Sequence, residues 1–139
     1  LIDSIEKFGQ GAGKIWKTLN KHGVLTESTL KKNTKLTDKE FFAAVGWLAR
    51  ENKISKTGIK YQLSETNLTY KIGNAAGKVY NVLVRKGGEI DVTSISRITH
   101  LKTNDAYSAL GWLARENKIY TVQDITNNDQ IKVKLKYKN

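Results

Sequence analysis

The run Gly9-Gln10-Gly11-Ala12-Gly13-Lys14 sets glycines beside a lysine, the residue types with which a loop cradles phosphate. Its spacing does not suit that chemistry. The position five before Gly13 is Phe8, Ile15 follows Lys14 where a magnesium-binding hydroxyl belongs, and no buried strand precedes the run. A second version, Gly73-Asn74-Ala75-Ala76-Gly77-Lys78, lacks the middle glycine. Gly9 and Gly13 are therefore expected to give a tight entry and close packing to a helix. Other catalytic chemistry is equally short of parts. Without Cys there is no disulfide, thiolate zinc site or cysteine nucleophile. His22 and His100 are the only histidines, and the carboxylates form no repeated pair suited to acid–base work. The expectation is a non-enzyme with no cofactor, no metal and no small-molecule substrate.

What remains is charge. The 139 residues carry 24 Lys and Arg against 13 Asp and Glu, a formal net charge of +11. Such an excess is more than solubility requires and points to an anionic partner, nucleic acid first. No apolar run reaches the roughly 20 residues that cross a bilayer. Leu1-Ile-Asp-Ser-Ile-Glu-Lys7 lacks the continuous apolar stretch of a secretory signal. A cytoplasmic location, at the nucleoid, is the corresponding expectation.

The positions that bear this charge occur twice. Gly46-Trp47-Leu48-Ala49-Arg50-Glu51-Asn52-Lys53-Ile54 recurs unchanged as Gly111-Trp112-Leu113-Ala114-Arg115-Glu116-Asn117-Lys118-Ile119, 65 positions later. Earlier in the unit the offset is 64: Lys7, Gly9, Ala12, Gly13, Lys14, Leu19 and Gly23 match Lys71, Gly73, Ala76, Gly77, Lys78, Leu83 and Gly87. One inserted residue near Gly88 reconciles the two. The chain is a tandem duplication, divided into residues 1–67 and 68–139, with charges of +5 and +6. Each unit is large enough for a small core of its own.

The periodicities keep one order in both copies. Ala12, Ile15, Trp16 and Leu19 have helical spacing, as do Ala76, Val79, Tyr80 and Leu83, with Gly23 and Gly87 as C-terminal stops. A short extended piece follows, then a brief helix over 26–33 or 93–98. A longer helix begins at Thr37 or Asp38 and near Thr103. The period then falls to two. Ile59, Tyr61 and Leu63 alternate with polar residues after a turn at Thr57-Gly58, and Ile131, Val133, Leu135 and Tyr137 alternate with Lys132, Lys134, Lys136 and Lys138. The second hairpin has a longer tip over 124–130.

Helix, strand, helix, turn, helix and hairpin make an α+β unit. With its Gly-Lys-[Ile/Val]-[Trp/Tyr] first helix and Gly-Trp-Leu-Ala-Arg-Glu-Asn-Lys-Ile third helix, it resembles the small prokaryotic winged helix-turn-helix domains, here in two tandem copies. The resemblance implies three helices plus a β-hairpin wing per copy, and a DNA-binding ancestry.

Placed at 100° per residue, Phe41, Phe42, Val45, Leu48 and Ala49 form the core face of the first long helix. Lys39, Ala43, Gly46, Trp47 and Arg50 face outward, matched by Asn104, Ser108, Gly111, Trp112 and Arg115. A third helix of this kind ordinarily enters the major groove. Lys39, Lys102, Thr103 and Asn104 are then the base-reading candidates, with Arg50 and Arg115 as further cations. Asp38, Glu40, Asp105, Glu51 and Glu116 would repel phosphate there. Gly46, Trp47, Gly111 and Trp112 suit an interface instead. The tryptophans pack within their own copy, between copies or chains, or on nucleic acid; if the third helices pack together, they cannot both read bases.

The wings supply phosphate contacts: Lys132, Lys134, Lys136 and Lys138 in the second copy, Lys56 and Lys60 in the first, with Lys14 and Lys78 as additions. The rival reading of these lysines is protection of an edge strand. Together the residues point to a protein that binds double-stranded DNA through backbone electrostatics, as a transcriptional regulator or a nucleoid-associated architectural factor. Two readers in one chain would span groove segments about 34–36 Å apart. The alternative is a protein-interaction module, or a homodimer, using the Trp47 and Trp112 faces. Structured RNA would satisfy the same basic wings.

Overall fold

A computed structural model describes residues 4–123 and 131–136. The first copy runs α1 (Ser4–His22), β1 (Leu25–Thr26), α2 (Glu27–Thr34), α3 (Asp38–Arg50), β2 (Ile54–Thr57) and β3 (Lys60–Leu63). The second opens with a π-helical turn (Thr69–Gly73) and continues α4 (Asn74–Lys86), β4 (Ile90–Asp91), α5 (Val92–Thr99), α6 (Thr103–Arg115), β5 (Ile119–Gln123) and β6 (Ile131–Leu135). Each copy thus has three helices and a three-stranded antiparallel sheet, in the orders β1-β3-β2 and β4-β6-β5.

Local chemistry explains the boundaries. Gly23 and Gly87 adopt φ of 77° and 70°, a left-handed conformation that stops α1 and α4 at no steric cost. Thr37 caps α3 in a capping box: its hydroxyl accepts from the Glu40 amide at 3.2 Å, while the Glu40 carboxylate accepts from the Thr37 amide at 2.9 Å. Asp91 caps α5 by accepting from the Ser94 hydroxyl and amide, which hold its carboxyl below the usual range. The extra residue of the second copy falls between Gly87 and Ile90, as the offsets require.

The first hairpin differs in one detail from its sequence pattern. The turn is Gly58-Ile59, between paired Thr57 and Lys60, so Ile59 is 68% exposed rather than a core position. Tyr61 and Leu63 keep the alternation. Tyr61 is buried and donates to a Glu27 carboxylate oxygen at 2.9 Å; burial, with Glu27 beside it, pushes the phenol far above its ordinary value.

The two cores are not separate. The first contains Ile15, Leu19, Leu30, Phe41, Leu48, Ile54 and Tyr61, joined by Leu68 and Ile72 of the second copy. The second contains Val79, Leu83, Ile95, Leu110, Leu113 and Val133, joined by Phe8 and Ala43 of the first. Phe8 and Ile72 are equivalent positions, 64 residues apart. Each copy thus sends the same residue of its entry segment into the other's core.

The centre of the outward face of α3 does not meet solvent. Ala43 and Gly46 are buried, as are Ser108 and Gly111 on α6, because the two helices pack against each other there. A Cβ on Gly46 would overlap the Ser108 carbonyl, and one on Gly111 would overlap the Ala43 carbonyl. The backbones therefore touch, and only glycine fits. Helices in such contact lie at or below the usual 8–10 Å spacing of packed helices. This replaces the expected separation of one DNA turn between two readers.

Gly13 and Gly46 are both helical glycines with opposite surroundings. A Cβ on Gly13 would find nothing within 4 Å, so the close packing expected there is absent; Gly9, by contrast, lies against the Trp47 ring. In urea denaturation, Gly13→Ala should stabilise by about 0.5–1 kcal/mol through helix propensity. Gly46→Ala should lose that gain and cost about 1–3 kcal/mol net through overpacking. Equal stabilisation by both would contradict the helix contact.

Candidate nucleic-acid interface and the repeat seam

The seam between α3 and α6 consumes much of what the third helices carry. Arg50 Nε donates to a Glu116 carboxylate oxygen at 3.1 Å, and Arg115 Nε to Glu51 at 3.0 Å. Arg50 also lies 5.7 Å from the centroid of the Trp112 ring, and Arg115 6.0 Å from that of Trp47. Lys39 reaches across to the Tyr107 ring at 5.8 Å. The contacts are reciprocal, so the seam has near-twofold symmetry.

The tryptophans pack both within their own copy and between copies. Trp47 rests on Gly9 of its own first helix, where a Cβ would come within 3.3 Å of the ring, and Trp112 rests on Gly73 in the same way at 3.5 Å. Both pack against each of the two cores. Half-buried and covered by an arginine from the other copy, they do not form a bare apolar patch.

Among the proposed base-reading residues, Lys102 and Thr103 are exposed at the start of α6, and Asn104 is half-buried beside them. Lys102 takes the N-cap position of α6 without a side-chain cap. Asp105 in the first turn pairs with Lys71 at 3.7 Å, and Asp38 with Lys31 at 3.1 Å.

The wings are arranged differently. In the second copy, Lys132 and Lys134 project from the outer sheet face, opposite the core residues Ile131 and Val133; Lys136 follows β6 and is half-buried. Tyr120 is the cross-strand neighbour of Lys134, and Val122 that of Lys132. Lys132 is flanked by both β4 and β5 and so does not guard an edge, whereas Lys134 pairs with β5 alone, past the reach of β4. Lys138 lies outside the described residues, as do Tyr137 and the hairpin tip. In the first copy Lys60 is exposed on the central strand, whereas Lys56 shares the face of Tyr61 and pairs with Glu27 at 3.9 Å. Lys14 and Lys78 are exposed on α1 and α4.

The pattern that sequence reasoning missed is the destination of the acids. Glu51 and Glu116 neutralise the seam arginines and also hold Lys53 and Lys118 at 3.7 and 3.4 Å. Lys60, Lys132 and Lys134 have no ion pair among the described residues. The repeated Arg-Glu dipeptide was visible, but adjacent positions on one helix gave no sign that each would find its partner in the other copy.

Among the described residues, no group of three or more His, Asp or Glu is placed to hold a metal ion, and no helix is long and apolar enough to cross a membrane. The family described as "Winged helix-turn-helix domain (DUF2582)" matches twice, over residues 4–67 and 64–135. The uncharacterized protein MJ1608 of Methanocaldococcus jannaschii is 42% identical over 57 residues, which span 39% of this chain and 79% of that protein. No solved structure matches the chain significantly.

The seam pairs are partly exposed, so their energy is modest. A double-mutant cycle on Arg50→Ala and Glu116→Ala should give a coupling of about 0.2–1 kcal/mol that shrinks with added salt. Zero coupling at low salt would show that the two groups do not meet.

Proposed function

The chain belongs to the winged helix-turn-helix domain family, and from that premise we propose that it binds duplex DNA through the phosphate backbone, without reading bases through its third helices. The single observation that carries this reading is the separation of charge. Arg50 and Arg115 at the ends of α3 and α6 are spent on Glu116 and Glu51 of the opposite copy, while Lys60, Lys132 and Lys134 face outward from the middle strands of the two wings.

The physical mechanism is counterion release. Lysines spaced two residues apart along a strand stand about 6.6–6.8 Å apart, a reach that lets successive ammoniums meet phosphates of one strand. Each neutralised phosphate frees condensed cations, so affinity comes chiefly from solvent entropy and depends steeply on salt. Base discrimination needs hydrogen bonds in a groove, and the helix surfaces that ordinarily provide them form the seam. Weak sequence preference and broad coverage suit an architectural role at the nucleoid better than recognition of one operator.

The test is fluorescence anisotropy with unrelated duplexes of about 30 base pairs at several salt concentrations. Each lysine–phosphate pairing removed by substitution should change the slope of log K against log salt by about 0.9. Lys132→Gln with Lys134→Gln should therefore reduce the slope by about 1.8 and weaken binding to every duplex alike. No binding at low salt, or a preference of more than about 1,000-fold for one sequence, would contradict the reading.

A further inference from the structure

The two copies share a scaffold, but the second has a cavity lined by residue types that differ from those at the equivalent positions of the first. A notch of about 730 Å³ opens between the C-terminal half of α4 and the end of β6. Its lining includes Tyr80, Leu83, Val84, Tyr120, Lys134 and Lys136, with Gly87, Gly88 and Glu89 at the helix end. It forms where β4 has ended: β4 pairs with Val133 and Lys132, leaving the following residues of β6 without that neighbour.

The register identifies the corresponding residues of the first copy. Ile54 pairs with Leu63 as Ile119 pairs with Leu135, so Tyr120 corresponds to Ser55, Lys134 to Gln62 and Lys136 to Ser64. In the first copy Ser55 is buried, and its hydroxyl bonds to that of Ser64 at 2.6 Å. The second copy has neither hydroxyl. In their place Tyr120 is 45% exposed, with the Lys134 and Lys136 ammoniums 5.8 and 5.5 Å from its ring centroid. The inserted residue of the second copy also falls here, in the Gly87–Glu89 segment.

Among the described residues, the charged groups around the notch have definite positions. Lys134 and Lys136 stand over Tyr120, and Lys136 also donates to the Asn117 side-chain oxygen at 2.6 Å. Lys118 stands over Tyr80 at 5.3 Å while pairing with Glu116. Glu89 is the one acid in the lining among the described residues. Two tyrosine rings, an aliphatic floor of Leu83, Val84 and Leu135, and a lysine rim therefore enclose a volume within the range of small-ligand pockets.

We infer that this notch binds a nucleobase together with its phosphate, as a free nucleotide or as an unpaired residue of a strand. A flat ring stacks on an exposed tyrosine with little regard to base identity. Lysines already gathered at that ring can turn to an attached phosphate, which is a better partner than the ring face. An apolar ligand alone would leave the lysines unused, and a bare anion would leave the tyrosines unused. The site shares Lys134 with the duplex surface proposed above, whereas Tyr120 belongs to the notch and not to that surface.

The experiment is a titration followed by backbone amide NMR shifts, with adenosine 5′-monophosphate in one arm and a short oligothymidylate in the other. Saturable shifts at Gly88, Tyr120 and Lys134–Lys136 are expected. Saturation by the mononucleotide identifies a free ligand, and saturation by the strand alone identifies an unpaired residue. Tyr120→Ser installs the residue of the first copy at an exposed position. It should weaken binding by about tenfold or more while leaving duplex affinity unchanged. Lys136→Ser, again the first copy's residue, should weaken binding as well and provides a second variant. The inference is overturned if neither ligand saturates at millimolar concentration, if both variants bind as the natural protein does, or if inorganic phosphate binds equally well at the same amides.

Discussion

The architecture depends on backbone contact between α3 and α6, possible only because Gly46 and Gly111 have no side chains. Two helices that close leave no space for anything larger, and each sits over a carbonyl of the other. Nearby features follow from that approach. Phe8 and Ile72 reach across into the opposite cores, and Arg50 and Arg115 come within hydrogen-bond distance of opposite glutamates. Among these, burial carries most of the energy. Fully burying a large apolar side chain stabilises by about 1.5–3 kcal/mol, whereas a partly exposed ion pair contributes at most about 1 kcal/mol. The arginine–glutamate pairs therefore fix orientation more than they hold the copies together.

The same contact changes which surfaces of a familiar fold remain accessible. A winged helix-turn-helix that keeps its third helix free can insert it into a groove; here the corresponding surfaces cover each other. Lys60, Lys132 and Lys134, without an ion pair among the described residues, stand on the wings, and Lys14 and Lys78 on exposed helix faces. Fold and family alone would have suggested base reading, but function depends on which surfaces are left accessible. Duplication also releases one copy from strict equivalence. Ser55, Gln62 and Ser64 of one copy and Tyr120, Lys134 and Lys136 of the other occupy equivalent positions at a surface that the seam does not use.

Much of the fold was legible because its signals are local. Helix stops at Gly23 and Gly87, the Thr37 capping box and the period-two wings all depend on neighbouring residues. The exception, Ile59, lies in a two-residue turn whose position could shift by one without changing the alternation that follows. Periodicity separates the two faces of the third helix largely as the structure does: Phe41, Val45, Leu48 and Ala49 are buried in the core, Ala43, Gly46 and Trp47 lie on the other side, and Phe42, expected with the core residues, is half-buried against both cores. What periodicity cannot specify is the occupant of that other side. Long-range complementarity decided it, through a glycine crossing and charges 64–66 positions apart in sequence. The notch was illegible for a similar reason, since its tyrosines come from a helix and a strand that sequence does not place together.

The most direct measurement is of inter-repeat nuclear Overhauser contacts from the Gly46 and Gly111 α-protons, recorded for the free protein and for the protein bound to duplex DNA. The account predicts contacts from Gly46 to Ser108 and from Gly111 to Ala43 in both states. Disappearance of those signals on DNA, with new ones from α3 or α6 to base protons, would show that the seam opens to release reading helices and would contradict the account.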